Sequence, residues 1–164
     1  MCEIKELIEK IEQWAEDRNL IEGSTPQKQV LKLMEEFGEL CGGIAKNKPD
    51  VIKDSIGDCA VVLIILAKQL NFKVIFLQKN KLEYVESTDY LPRFAMNSSR
   101  LMFYLSDRDR TVTEFDFRLT QQYLTYICIQ QGFTFTECLE RAWNDIKDRK
   151  GRMVDGFFVK EEDL

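Results

Sequence analysis

From Cys59 to Ala67 the chain runs Cys-Ala-Val-Val-Leu-Ile-Ile-Leu-Ala without one polar residue. Wound into a helix, such a run turns apolar side chains in every direction, so other elements must enclose it on all sides. Those elements are expected to be helices, because only eight Gly and three Pro occur in 164 residues and no long stretch alternates with period two. The expected fold is therefore all-α: five to six helices around a central third one, in a single domain over residues 1–164. An irregular insertion is expected at about residues 72–112, where aromatic and charged residues mix.

The other helices announce themselves by spacing and by their ends. Ile4, Leu7, Ile8, Ile11 and Trp14 recur three and four residues apart, which predicts a first helix over about residues 3–18. Thr25-Pro26 is a cap followed by a first-turn proline, so a second helix starts near Pro26. Its apolar residues Val30, Leu33, Met34, Phe37, Leu40, Cys41 and Ile44 span a sector of roughly 120°, with Glu35, Glu36 and Glu39 off it. Asn47-Lys-Pro-Asp50 restarts the chain, Asp50 capping the third helix, which runs to about Asn71. Helices are expected over Pro92 to Leu105 and Thr113 to Gln131, with Gly132 ending the latter. Thr134-Phe-Thr-Glu137 has the form of a capping box and opens a last helix that stops at Gly151.

Composition removes several kinds of chemistry. There is no histidine, which excludes imidazole bases and Glu-x-x-His di-iron ligands, so any reaction must rest on carboxylates, Lys, Arg and water. The five cysteines are odd in number and never spaced Cys-x-x-Cys, the pattern of reduced small hydrophobes rather than of a zinc site. A net charge of −5 argues against nucleic-acid binding. No apolar run is long enough to span a bilayer and no secretory signal opens the chain, so a cytoplasmic protein without a membrane partner is expected.

Two acidic clusters stand out. Glu36 with Glu39, and Asp54 with Asp58, are three or four residues apart and so share a helix face pairwise. Two such helices packed antiparallel can aim four carboxylates at one point, a geometry that suits Mg²⁺, which accepts a few carboxylates and completes its shell with water and phosphate. The competing reading is a solvated acidic face aided by Lys32, with Asp54 at the positive end of the third helix. Against it, Asp58 adjoins the apolar run, where a lone charge is costly.

A basic cluster closes the chain: Asn144, Lys147, Arg149, Lys150 and Arg152. Cations in a last helical turn complement its dipole, and the same residues could clamp a phosphate. Trp14 and Trp143 read as core, and Gly42, Gly43 and Gly57 as places where helices approach closely.

Taken together, Glu35-Glu-Phe-Gly-Glu-Leu40, Asp54-Ser-Ile-Gly-Asp58 with its apolar sequel, and Ala142-Trp-Asn-Asp-Ile-Lys-Asp-Arg-Lys-Gly-Arg-Met153 resemble the MazG-like branch of the all-α nucleoside triphosphate pyrophosphohydrolases, its phage-type members especially. The resemblance covers roughly residues 1–71 and 133–164. That family binds Mg²⁺ through Glu-x-x-Glu on one helix and Glu-x-x-Asp on the next. Glu36, Glu39 and Asp58 match it; the remaining family Glu falls on Ser55, and Asp54 stands one turn before Asp58 as its substitute.

The resemblance implies cleavage of a nucleoside triphosphate substrate between the α and β phosphates. It further implies a metal site at Glu36, Glu39, Asp54 and Asp58 for Mg²⁺ or Mn²⁺, catalytic roles for Glu35 or Glu36, and substrate binding by Asn144, Lys147, Arg149 and Lys150. It also implies assembly as a homodimer or homotetramer. Phosphoribosyl-ATP hydrolysis, or a non-catalytic helical module that binds a partner or senses nucleotides, are the other functions compatible with these residues.

Overall fold

The computed structural model describes residues 4–76 and 89–164, and these form an all-α fold. Cys2 and residues 77–88 of the anticipated insertion lie outside the described residues. The helices are α1 (Ile4–Asp17), α2 (Pro26–Ala45), α3 (Pro49–Leu70), α4 (Leu91–Ser106), α5 (Glu114–Gln130) and α6 (Phe135–Ile146). A two-stranded antiparallel hairpin follows, β1 (Gly151–Val154) and β2 (Phe157–Lys160), and then a 3-10 turn at Glu161–Asp163.

The apolar run sits at the centre. Every residue from Cys59 to Ala67 is buried, because α1, α2, α5 and α6 all pack against α3, while α4 lies against α2 and α5. Each such Leu or Ile contributes about 1.5–3 kcal/mol through burial, so α3 is the best anchored element of the molecule. Gly57 lets α6 approach it: a methyl group there would run into the Cys138 carbonyl and the Ala142 side chain. Gly43 likewise sits tight against Val51 and Ile52, whereas Gly42 faces open space and has no such reason to be small. Trp14 is buried, and Trp143 packs against the core while partly exposed.

Helix ends follow local chemistry. The Thr25 hydroxyl accepts from the Lys28 amide at 3.3 Å with Pro26 behind it, and Thr134 and Glu137 form both halves of the capping box. Gly132, at φ 83°, closes α5. Asp50 does not cap α3. The helix opens earlier, with Lys48 at the cap and Asp50 in the first turn, because Pro49 has no N–H to lose and a φ already suited to a first turn.

The larger departure is at the end of the chain. α6 stops at Ile146 rather than at Gly151, and a turn leads into the hairpin. The hairpin is set by Asp155-Gly156: at φ 50° and 80° they supply the two left-handed residues of a two-residue hairpin turn, which pairs Val154 with Phe157 and Gly151 with Lys160. The hairpin is seated by Phe158 against Trp14, ring centres 5.9 Å apart, and by Lys28. The Lys28 ammonium donates to the Asp155 carbonyl and lies 5.1 Å from the centre of the Phe157 ring. Among the described residues no helix is long and apolar enough to cross a membrane.

Candidate functional site

α2 and α3 are joined by the short turn around Asn47 and pack side by side. That packing covers the flank of α2 carrying Glu36, which is only 7% exposed although it lies off the apolar sector of its own helix. Lys32, one turn earlier, partners it at 2.7 Å and also reaches Glu35 at 2.9 Å. Burial pulls the Lys32 pKa down, and hydrogen bonds to Glu36 and Glu35 more than offset this, so it ends above its ordinary value.

Asp58 faces the same space from α3. Burial first, then the negative charges of Glu36 and Asp54, push its carboxyl up to about 7, against the opposing pull of Arg149 and Lys32. The adjoining Cys59 thiol is pushed up by burial and then by Glu36, Asp58, Cys41 and Glu39, so the field of all three glutamate and aspartate groups converges on this stretch of α3.

Above these carboxylates lies a cleft of about 460 Å³. Its acidic wall is Glu35, Glu36 and Asp58, with Asp163 of the 3-10 turn as a further carboxylate; its basic groups are Lys32, Arg149 and Lys160; Trp14, Phe157 and Phe158 supply aromatic surface. One cavity thus offers carboxylates, cations and rings.

The remaining expected site residues point elsewhere. Glu39 is exposed and does not line the cleft. Asp54, one turn before Asp58, faces α6, where the Arg141 guanidinium holds it at 3.3 Å. Burial and then the neighbouring Asp145 carboxyl raise the Asp54 pKa, with Arg141 opposing. Asn144 and Lys147 pair with each other at 3.0 Å on the exposed side of α6. Lys150 lines a neighbouring surface depression with Asp145, Asp148, Glu161 and Glu162, and Arg149 and Lys160 border both this depression and the cleft. Ser55, at the position of the family Glu, is 1% exposed and offers no carboxylate. Among the described residues no three carboxylates or thiols stand close enough together to hold a metal ion.

Two carboxylates remain that could hold a hard divalent cation, one of them already paired with Lys32. Glu36 and Asp58 are carboxylates on two helices, and their mutual repulsion is what a cation between them relieves. The cleft residues that the sequence did not single out include Phe157, Phe158, Lys160 and Asp163. The signal for the hairpin residues among them was present, since Asp-Gly between Met153-Val154 and Phe157-Phe158 is a hairpin signature. Arg141 gave no signal, because its partner Asp54 is remote in sequence.

Comparison with known proteins leaves the assignment to the site itself. No family model matches the chain, and no solved structure matches it. A protein of Haemophilus phage HP1 (strain HP1c1), described as an uncharacterized 18.2 kDa protein in the rep-hol intergenic region, is 77% identical over 69 residues. The match spans 42% of this chain and 42% of that protein.

Proposed function

We propose that the protein is a Mg²⁺-dependent nucleoside triphosphate pyrophosphohydrolase of the MazG-like kind, with Mn²⁺ able to replace Mg²⁺. The observation that carries this reading is the pairing of Glu36 and Asp58 across α2 and α3 in a cleft that also presents Arg149, Lys32 and Lys160. Carboxylates for a cation beside cations for phosphate are what a triphosphate with its counter-ion requires.

Glu36 and Asp58 hold the metal, with Glu39 and Asp54 near enough in charge to add to its attraction. The chemistry that Mg²⁺ would supply there when bound is neutralisation of phosphate charge and a more acidic water. Arg149 and Lys160 hold the phosphates and stabilise charge developing on the leaving pyrophosphate. Glu35, exposed at the cleft edge, accepts the proton of the attacking water. The burial of Ser55 and the Arg141 contact of Asp54 favour one second reading, a module that binds nucleotide without cleaving it.

A panel of canonical and noncanonical nucleoside triphosphates, together with phosphoribosyl-ATP, separates these readings. Pyrophosphate release that requires Mg²⁺ and falls at least about a hundredfold in Glu36→Gln and Asp58→Asn supports hydrolysis. Nucleotide binding without release favours the sensing module, and a preference for phosphoribosyl-ATP reassigns the substrate. Sedimentation of the same preparation tests the homodimer or homotetramer that the proposal includes.

A further inference from the structure

Arg18 sits just past α1, far in sequence from the cleft, yet its guanidinium is spent on the segment that bears Arg149. Its Nε and Nη2 both donate to the Arg149 carbonyl, at 3.0 and 2.9 Å, and Nη2 also reaches the Lys147 carbonyl at 3.4 Å. The same guanidinium lies 4.8 Å from the centre of the Trp14 ring, and the Trp14 indole donates to the Ile146 carbonyl at 2.8 Å. The carbonyls of Ile146, Lys147 and Arg149, at and just past the end of α6, thus accept from two side chains of the α1 end.

Residues 147–150 have no helix or strand of their own to fix them. Backbone bonds run from the Lys147 amide to the Trp143 carbonyl, from the Arg149 amide to the Ile146 carbonyl and from the Glu161 amide to the Lys150 carbonyl; ordering such residues costs about 1–2 kcal/mol each, and Arg18 adds to what holds them. The Arg149 side chain lines the cleft, where its charge opposes the upward shift of the Asp58 carboxyl.

Resting on the phosphate-holding part of the proposed function, we infer that Arg18 is a positioning residue: it grips the Arg149 backbone so that the Arg149 guanidinium is aimed at a polyphosphate in the cleft. Arg18 itself touches no substrate. Its loss acts only through Arg149, and that is what distinguishes it from a general contribution of positive charge.

The test is titration calorimetry of the full chain with inorganic tripolyphosphate in magnesium chloride, for the wild type, Arg149→Ala, Arg18→Ala and the double variant. Arg118→Ala, an exposed arginine of α5, serves as the control for lost charge. Arg18→Ala is expected to weaken binding roughly tenfold to a hundredfold, and the double variant to bind no more weakly than Arg149→Ala alone. Arg118→Ala binds as the wild type. Binding by Arg18→Ala equal to the wild type, losses that add in full, or no binding by the wild type would overturn the inference. If Arg18→Ala does not fold, Arg18→Gln, which keeps a hydrogen-bond donor on a shorter, uncharged side chain, is read by the same criteria. A protein that hydrolyses none of the triphosphates but shows the same non-additive cycle defeats the hydrolase reading and leaves this one standing.

Discussion

The two walls of the cleft are built by opposite means. Glu36 and Asp58 stand in the middle of long helices, α2 and α3, and α3 is buried along its whole apolar run. Arg149 and Lys160 stand on a turn and a two-stranded hairpin, held by Arg18 just past α1 and by Lys28 of α2, which grip backbone carbonyls. The acidic wall is thus fixed by core packing and the basic wall by a few polar contacts at the surface. The first should resist everything short of unfolding, and the second should loosen by itself.

The strongest way to break this comparison is to damage the core beneath the acidic wall. Leu63 is fully buried in α3, and Leu63→Ala is expected to cost about 3–5 kcal/mol in urea denaturation. A cost under about 1 kcal/mol would mean that α3 is not the anchor described.

Asp58 gives the next largest effect, and its sign depends on pH. Its carboxyl keeps its proton in the folded protein up to about 7, whereas in the unfolded chain it ionises near 4. Proton uptake therefore favours the fold. The contribution is complete below about pH 4 and is lost as pH rises through 7, for an amount on the order of 2–4 kcal/mol. Asp58→Asn, in metal-free buffer, should be more stable than the wild type at pH 8 by about that amount and should show a flatter stability profile from pH 4 to 8. Added Mg²⁺ should stabilise the wild type at pH 8 and leave Asp58→Asn nearly unchanged. Equal pH profiles for the two proteins would sink the account of the acidic wall.

How much could be read from the sequence follows the same division. The helices and most of their caps were legible because Thr25, Thr134, Gly132 and the spacing of Leu and Ile act locally, and α3 was legible because an all-round apolar helix has only one place to go. Glu36 and Asp58 share a cleft because regular helical spacing carried them there. Asp54 was misplaced because helical spacing puts it on a face but cannot say that α6 brings Arg141 to meet it. Asn144, Lys147 and Lys150 missed the cleft because α6 ends before reaching them or turns them outward, while the chain after it folds into a hairpin set by Asp155-Gly156, remote from the residues concerned.

The smallest effect tests the basic wall by itself. Gly156 has φ 80°, where an alanine is strained by about 1–2 kcal/mol, and its new methyl would press on the flexible end of Lys28, the side chain that ties the turn to α2. Because the hairpin is half exposed and lies at the edge of the bundle, Gly156→Ala should lower global stability by no more than about 1 kcal/mol. Hydrogen exchange should locate the damage: the paired amides of β1 and β2 exchange several-fold faster, while those of Leu63 and its neighbours in α3 keep wild-type protection. Faster exchange in α3 as well would mean that hairpin and core unfold as one unit, and the distinction between a rigid acidic wall and a separately held basic wall would fall with it.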